Sequence, residues 1–119
     1  MKTMSDYTIY CTTEQTKKAL ELGAPLFRLY GTGCSDYIDM LVISDTEAYT
    51  IPTTDQMIGW LENNEIIDSV DVVYEEGNYS FYIEADSVYK LRKGCFNSRK
   101  EATLAAIDAA LEYLINERK

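Results

Sequence analysis

Val70-Asp71-Val72-Val73-Tyr74-Glu75-Glu76-Gly77-Asn78-Tyr79-Ser80-Phe81-Tyr82-Ile83-Glu84-Ala85-Asp86 is the stretch that decides the fold. Val70, Val72 and Tyr74 alternate with Asp71, Val73 and Glu75. Tyr79, Phe81, Ile83 and Ala85 alternate in the same way with Ser80, Tyr82, Glu84 and Asp86. A period of two sends one set of side chains to a dry face and the other to a wet one, and Glu76-Gly77-Asn78 supplies the turn between them. The reading is an antiparallel hairpin, part of a sheet covered mainly on one side, which is the pattern of an α+β domain.

Three helices surround this hairpin in the sequence, and each opens on the same chemistry. Thr12-Thr13-Glu14-Gln15, Thr53-Thr54-Asp55-Gln56 and Ser98-Arg99-Lys100-Glu101 all place a hydroxyl three residues before Gln or Glu. That spacing lets the two side chains satisfy orphan N–H groups of the first turn reciprocally. The first helix is expected over Thr13 to Leu22, burying Ala19, Leu20 and Leu22, with Gly23 as its cap and Pro25 preventing continuation. The second runs over Thr54 to Asn63 with the stripe Met57, Ile58, Trp60, Leu61, and Pro52 keeps Ile51 extended before it. The third spans Arg99 to Asn116. Its Ala102, Ala105, Ala106, Ala109 and Ala110 beside Leu104, Ile107, Leu111 and Leu114 suit a helix lying close on a sheet.

Further strands are expected at Leu26 to Tyr30, Tyr37 to Ile43 and Ala48 to Ile51, with a weaker one at Tyr7 to Cys11. The order is then (β)-α-β-β-β-α-β-β-α, an antiparallel sheet of about four to five strands packed by three helices in a single domain over residues 1–119. The paired starts Thr-Thr-Glu-Gln and Thr-Thr-Asp-Gln also hint at an internal repeat, although capping chemistry alone produces the same likeness.

Charge is segregated along the chain. Leu29 to Tyr89 contains 13 acidic residues and no Lys or Arg, residues 1–86 sum to −12 and residues 87–119 to +3, within a net charge of −9. A protein so acidic repels DNA, RNA and anionic membrane at long range, which argues against non-specific nucleic-acid binding. The absence of His removes Ser-His-Asp and Cys-His catalysis and His-bearing zinc sites. Cys11, Cys34 and Cys95 are odd in number and lack C-x-x-C spacing, a pattern of reduced cytoplasmic thiols. The first residues, Met-Lys-Thr-Met-Ser-Asp, carry no apolar leader and no apolar run approaches the roughly 20 residues of a membrane span. The expectation is a cytoplasmic protein with no membrane partner.

Two surfaces stand out as binding candidates. Lys90, Arg92, Lys93, Arg99 and Lys100 with Ser98 form a basic cluster at the start of the third helix, where the dipole favours anions, and Lys90 and Arg92 are expected to share a strand face. Tyr82 would add a stacking platform. Asp68, Asp71, Glu75, Glu76, Glu84 and Asp86 would together line the wet side and end of the hairpin, a set able to imitate nucleic-acid charge and occupy a basic protein surface. Asp36 with Asp39 and Asp45 with Glu47 lack the pattern of a calcium loop, and no metal or cofactor is expected. Gly31-Thr32-Gly33-Cys34-Ser35 lacks the Gly-Lys-Ser/Thr ending of a phosphate loop and reads as a turn. Tyr37 to Ile43 as an edge strand, or the small-residue face of the third helix, offers a surface for pairing two copies.

The stretch Tyr49 to Leu61, the hairpin, and Phe96-Asn-Ser-Arg-Lys-Glu-Ala102 leading into Ala105 to Leu114 resemble small uncharacterised proteins carried by phages and mobile elements of gut Bacteroidales. The likeness extends more distantly to phage alpha-beta-alpha sandwich proteins. It implies an α+β sandwich and a phage or mobile-element origin, and it brings no catalytic residues with it. The expectation is therefore a non-catalytic binding protein that sequesters or inhibits a host factor, an anti-defence role. Its ligand would be an anionic nucleotide at the basic cluster, or, alternatively, a basic protein at the acidic face. An enzyme built on carboxylates or Cys34 is the least favoured reading.

Overall fold

The computed structural model describes residues 9–24, 28–29, 40–44, 47–63 and 66–117. They fall into two compact units, Met1–Thr53 and Thr54–Lys119.

In the first unit, α1 (Thr13–Glu21) begins on the expected capping box. The Thr12 hydroxyl accepts the Gln15 N–H at 3.1 Å and Gln15 Oε1 accepts the Thr12 N–H at 3.0 Å. The helix stops at Gly23, whose φ of 91° is open to glycine, and the returning N–H groups of Gly23 and Ala24 reach the carbonyls of Leu20 and Ala19. Ala19 and Leu22 are buried as expected, Leu20 only half so, and Gln15 and Thr16 complete the inner face. Three short strands follow: β1 (Arg28–Leu29), β2 (Met40–Ser44) and β3 (Glu47–Thr50). They form an antiparallel sheet with β3 in the middle. From the weak strand expected at Tyr7 to Cys11, the described residues keep one bridge, Tyr10 to Thr53, beside a 3.0 Å bond from the Cys11 N–H to the Pro52 carbonyl.

The second unit contains α2 (Thr54–Glu62), β4 (Ile67–Glu75), β5 (Asn78–Ala85), β6 (Val88–Phe96) and α3 (Arg99–Glu117). Its sheet is antiparallel with β5 central. The hairpin pairs as read, Val70 with Ile83, Val72 with Phe81 and Tyr74 with Tyr79. Val70, Phe81, Ile83 and Ala85 meet the fully buried Ala102, Ala106, Ile107, Ala110 and Leu111 of α3 and Met57 and Leu61 of α2. Ala102, Ala106 and Ala110 recur every four residues, so one small-residue row of α3 lies against the strands. Ile58 and Trp60, expected in the α2 stripe, are half-buried. The Glu62 carboxylate extends from the end of α2 to the Val70 N–H at 3.1 Å, tying helix to strand. Among the described residues no helix is long and apolar enough to cross a membrane.

Elements follow the expected order with one further strand, β6, ahead of the last helix. The sheet on which α3 packs has three strands rather than four to five, because β1 and β2 pair with β3 in a separate sheet. β6 is reached through Asp86-Ser87, both at positive φ (54° and 64°), just as Glu76-Gly77 (50° and 88°) joins β4 to β5. Two positive-φ residues give the primed turn whose twist suits a hairpin. Asp86 and Ser87 lack a glycine's freedom there, and the Asp68 carboxylate accepts the Ser87 N–H at 2.7 Å to hold the turn.

β6 also carries two irregularities. Leu91 faces Ile83 but Tyr89 faces Glu84, leaving Lys90 without an opposite residue. Phe96 faces Tyr79 but Lys93 faces Phe81, so Gly94 and Cys95 together span the position of Ser80. These are bulges, each adding one residue to β6 and resetting which side chains share a face. Cys95 takes a φ of 69° within the second.

Candidate binding face

Helices α2 and α3 lie on the Val70, Phe81 and Ile83 side of the second sheet. The alternate residues form the other face: Asp71, Val73 and Glu75 from β4, Ser80, Tyr82 and Glu84 from β5, and Tyr89 and Arg92 from β6. Tyr82 occupies the centre, opposite Asp71 on one side and Arg92 on the other. Its hydroxyl donates to Glu75 Oε1 at 2.5 Å. The Arg92 guanidinium carbon lies 5.3 Å from the Tyr82 ring centroid, within cation–π range, and the Tyr89 ring meets Tyr82 edge-to-face at 5.7 Å. The proton shared with Glu75 raises the Tyr82 pKa above the ordinary 10.0; burial adds to the rise and the Arg92 charge opposes it.

Two concavities open on this face. One of about 420 Å³ is lined by Asp71, Val72, Val73, Glu75, Tyr82 and Tyr89. A smaller one of about 250 Å³ is lined by Glu75, Glu76, Asn78, Ser80, Arg92, Gly94 and Cys95. Glu75 borders both. The larger has two carboxylates and two phenols in its wall and no cation.

The six acidic candidates separate by role. Asp71, Glu75 and Glu84 share the open face, Glu76 stands at the turn beside it, and Asp86 lies in the opposite turn. Asp68 is committed to the Ser87 N–H. Asp71 accepts a 3.2 Å bond from the Ser69 hydroxyl.

The basic candidates do not share one face. The bulge removes Lys90 from the pairing, so Tyr89 rather than Lys90 keeps company with Arg92, a correction to the two-residue alternation expected there. Lys93 is opposite Phe81, on the helix side, with its ammonium 5.8 Å from the Phe96 ring centroid. Arg99 opens α3 and lies 5.8 Å from the Tyr79 centroid, while Lys100 is exposed on the same helix. Ser98 does cap α3: its hydroxyl accepts the Glu101 N–H at 3.1 Å, and Glu101 Oε2 accepts from the Asn97 N–H at 3.4 Å. The helix start is thus occupied by the chain's own hydroxyl and carboxylate, and Glu101 adds a negative charge where an anion would bind. Neither concavity of the open face is lined by more than one of the five cations.

Tyr89, Gly94 and Cys95 were absent from the sequence candidates. Tyr89 is 65% exposed, and its place beside Tyr82 becomes visible only once β6 and its bulges are known. The Gly31 to Ser35 loop, Cys34, Asp36, Asp39 and Asp45 lie outside the described residues, as do the side chain of Glu47 and positions 37–39 of the edge strand expected over Tyr37 to Ile43, whose remainder falls in β2 at the margin of the first sheet.

No family model matches the chain, and neither does any curated protein or solved structure.

Proposed function

We propose that this chain is a non-catalytic binding protein that takes a basic protein surface onto the open face of β4, β5 and β6. The observation that carries the reading is the composition of the larger concavity: Asp71, Glu75, Tyr82 and Tyr89 converge there without a lining cation. Carboxylates attract a basic partner at long range, and tyrosines add contact area with little side-chain entropy to lose. The chain's net charge of −9 works in the same direction. Cations divided between two sheet faces and a helix start give less support to an anionic nucleotide ligand. The resemblance to phage and mobile-element proteins adds a context, a basic host factor sequestered by a small accessory protein.

The test is titration with a basic unstructured peptide and, separately, with a panel of nucleotides, followed by backbone amide shifts at low and moderate salt. Peptide binding that perturbs β4 and β5, weakens with salt and is reduced by a D71N/E75Q double variant is the expected result. Nucleotide binding abolished by R92E/R99E, with no response to peptide, would refute the proposal.

A further inference from the structure

Tyr82 and Tyr89 meet edge-to-face at 5.7 Å with an interplanar angle of 64°, so the two rings form a corner rather than a stack. Arg92 already holds a guanidinium 5.3 Å from the Tyr82 centroid. Among the described residues no cation lies over Tyr89, although it is the more exposed ring. The carboxylates beside this corner are also incompletely used. Glu75 accepts from Tyr82 through Oε1, and Asp71 accepts from Ser69 through Oδ2; Glu75 Oε2 and Asp71 Oδ1 take no partner among the described residues.

Resting on the reading above, we propose that the concavity bounded by Asp71, Glu75, Tyr82 and Tyr89 seats one arginine side chain of the basic protein partner. A guanidinium is planar, stacks on an aromatic face and donates in its own plane to a carboxylate, so it can use ring and acid together. A lysine ammonium is a compact, strongly hydrated charge that gains less from the same corner. The Arg92–Tyr82 contact shows the pairing operating within this sheet. Asp71 and Glu75 are four residues apart on β4, about 13 Å at strand rise, so one guanidinium engages one of them while the other steers its approach.

The experiment compares two peptides of equal charge and length, one basic through arginine and one through lysine, against the full chain and its Y89A, Y89F and D71N/E75Q variants. Backbone amide spectra of each variant establish that the fold is intact. The arginine peptide should bind about fivefold more tightly than the lysine peptide, a margin that Y89F keeps and Y89A removes while leaving lysine-level binding in place. Equal affinity for the two peptides, or an arginine preference that survives Y89A, overturns the arginine seat. If both peptides bind equally and D71N/E75Q weakens both, the acidic face still binds basic proteins and only the seat falls. If neither binds, the functional reading falls with it. Concentration-dependent self-association lost in Y89A, with neither peptide bound, would assign the corner to a second copy and overturn a foreign partner.

Discussion

Gly94→Ala tests the second bulge and the sheet face it shapes. A Cβ at Gly94 would stand 2.8 Å from Ser80 Oγ and 3.7 Å from Ser80 Cβ, with Ser80 itself only 7% exposed. Gly94 is not at positive φ, so alanine's backbone preference is no obstacle. Replacing Gly at a compatible φ otherwise stabilises by about 0.4–1 kcal/mol through the unfolded chain, whereas overpacking costs about 1–3 kcal/mol. The overlap should win, giving a net loss of about 1–2 kcal/mol. In a Ser80→Ala background the closest remaining contact is the ordinary one at 3.7 Å, so adding Gly94→Ala there should be neutral or stabilise by about 0.4–1 kcal/mol. Urea unfolding of the four proteins in this cycle, followed by circular dichroism, reads the coupling directly. An equal cost for Gly94→Ala in both backgrounds would show that the Ser80 hydroxyl is not what the extra methyl meets, and the account of this bulge would fail.

Gly59→Ala should act in the opposite sense. Beyond the backbone of α2 itself, no described atom lies within 4 Å of the added methyl, so thermal unfolding should show a gain of about 1 kcal/mol. Ser98→Ala removes the acceptor of the Glu101 N–H and should cost about 0.5–2 kcal/mol in denaturant unfolding, with Ser98→Thr or Ser98→Asp retaining most of it. Tyrosinate absorbance should find Tyr82 among the last tyrosines to ionise, a late component missing from Y82F and moved earlier by E75Q. Tyr113, held up by partial burial and then by the Glu117 and Asp86 carboxylates, should stay late in both variants. Because the folded pKa of Tyr82 lies above its unfolded value, its contribution to stability is complete below the ordinary tyrosine pKa and is lost as pH rises through the raised one.

Legibility in the sequence tracked local chemistry. The β4–β5 hairpin was readable because its alternation is unbroken from Val70 to Ala85 and Gly77 marks its turn. The three helices were readable from hydroxyl caps, and at Thr12 and Ser98 the hydroxyls sit on the expected N–H groups. At Ser98 the acid of the box reaches one residue further back, to the Asn97 N–H instead of that of Ser98. β6 was illegible for three physical reasons: Asp86-Ser87 adopts a glycine-like turn without glycine, Lys90 breaks the alternation, and Gly94-Cys95 breaks it again. The same bulges hid Tyr89, since counting by two from Arg92 lands on Lys90. Asp68 looked like part of a charged surface because nothing local reveals that its partner is Ser87, nineteen residues away.

The strand margins of the second unit have a consequence for how the protein behaves when crowded. Within this unit the sheet has β4 and β6 outermost, and a strand at a sheet margin carries a row of backbone donors and acceptors that a further strand can pair with. On β4, the Glu62 carboxylate occupies the Val70 N–H. On β6, the two extra residues interrupt the regular ladder that a second strand would need, and Lys90, Arg92 and Lys93 place three positive charges along nine residues. A flat, bulge-free β6 would give a stacking copy an uninterrupted register, the starting point of cross-β assembly. The irregularities that hid this strand from sequence reading therefore also oppose its recruitment into fibrils.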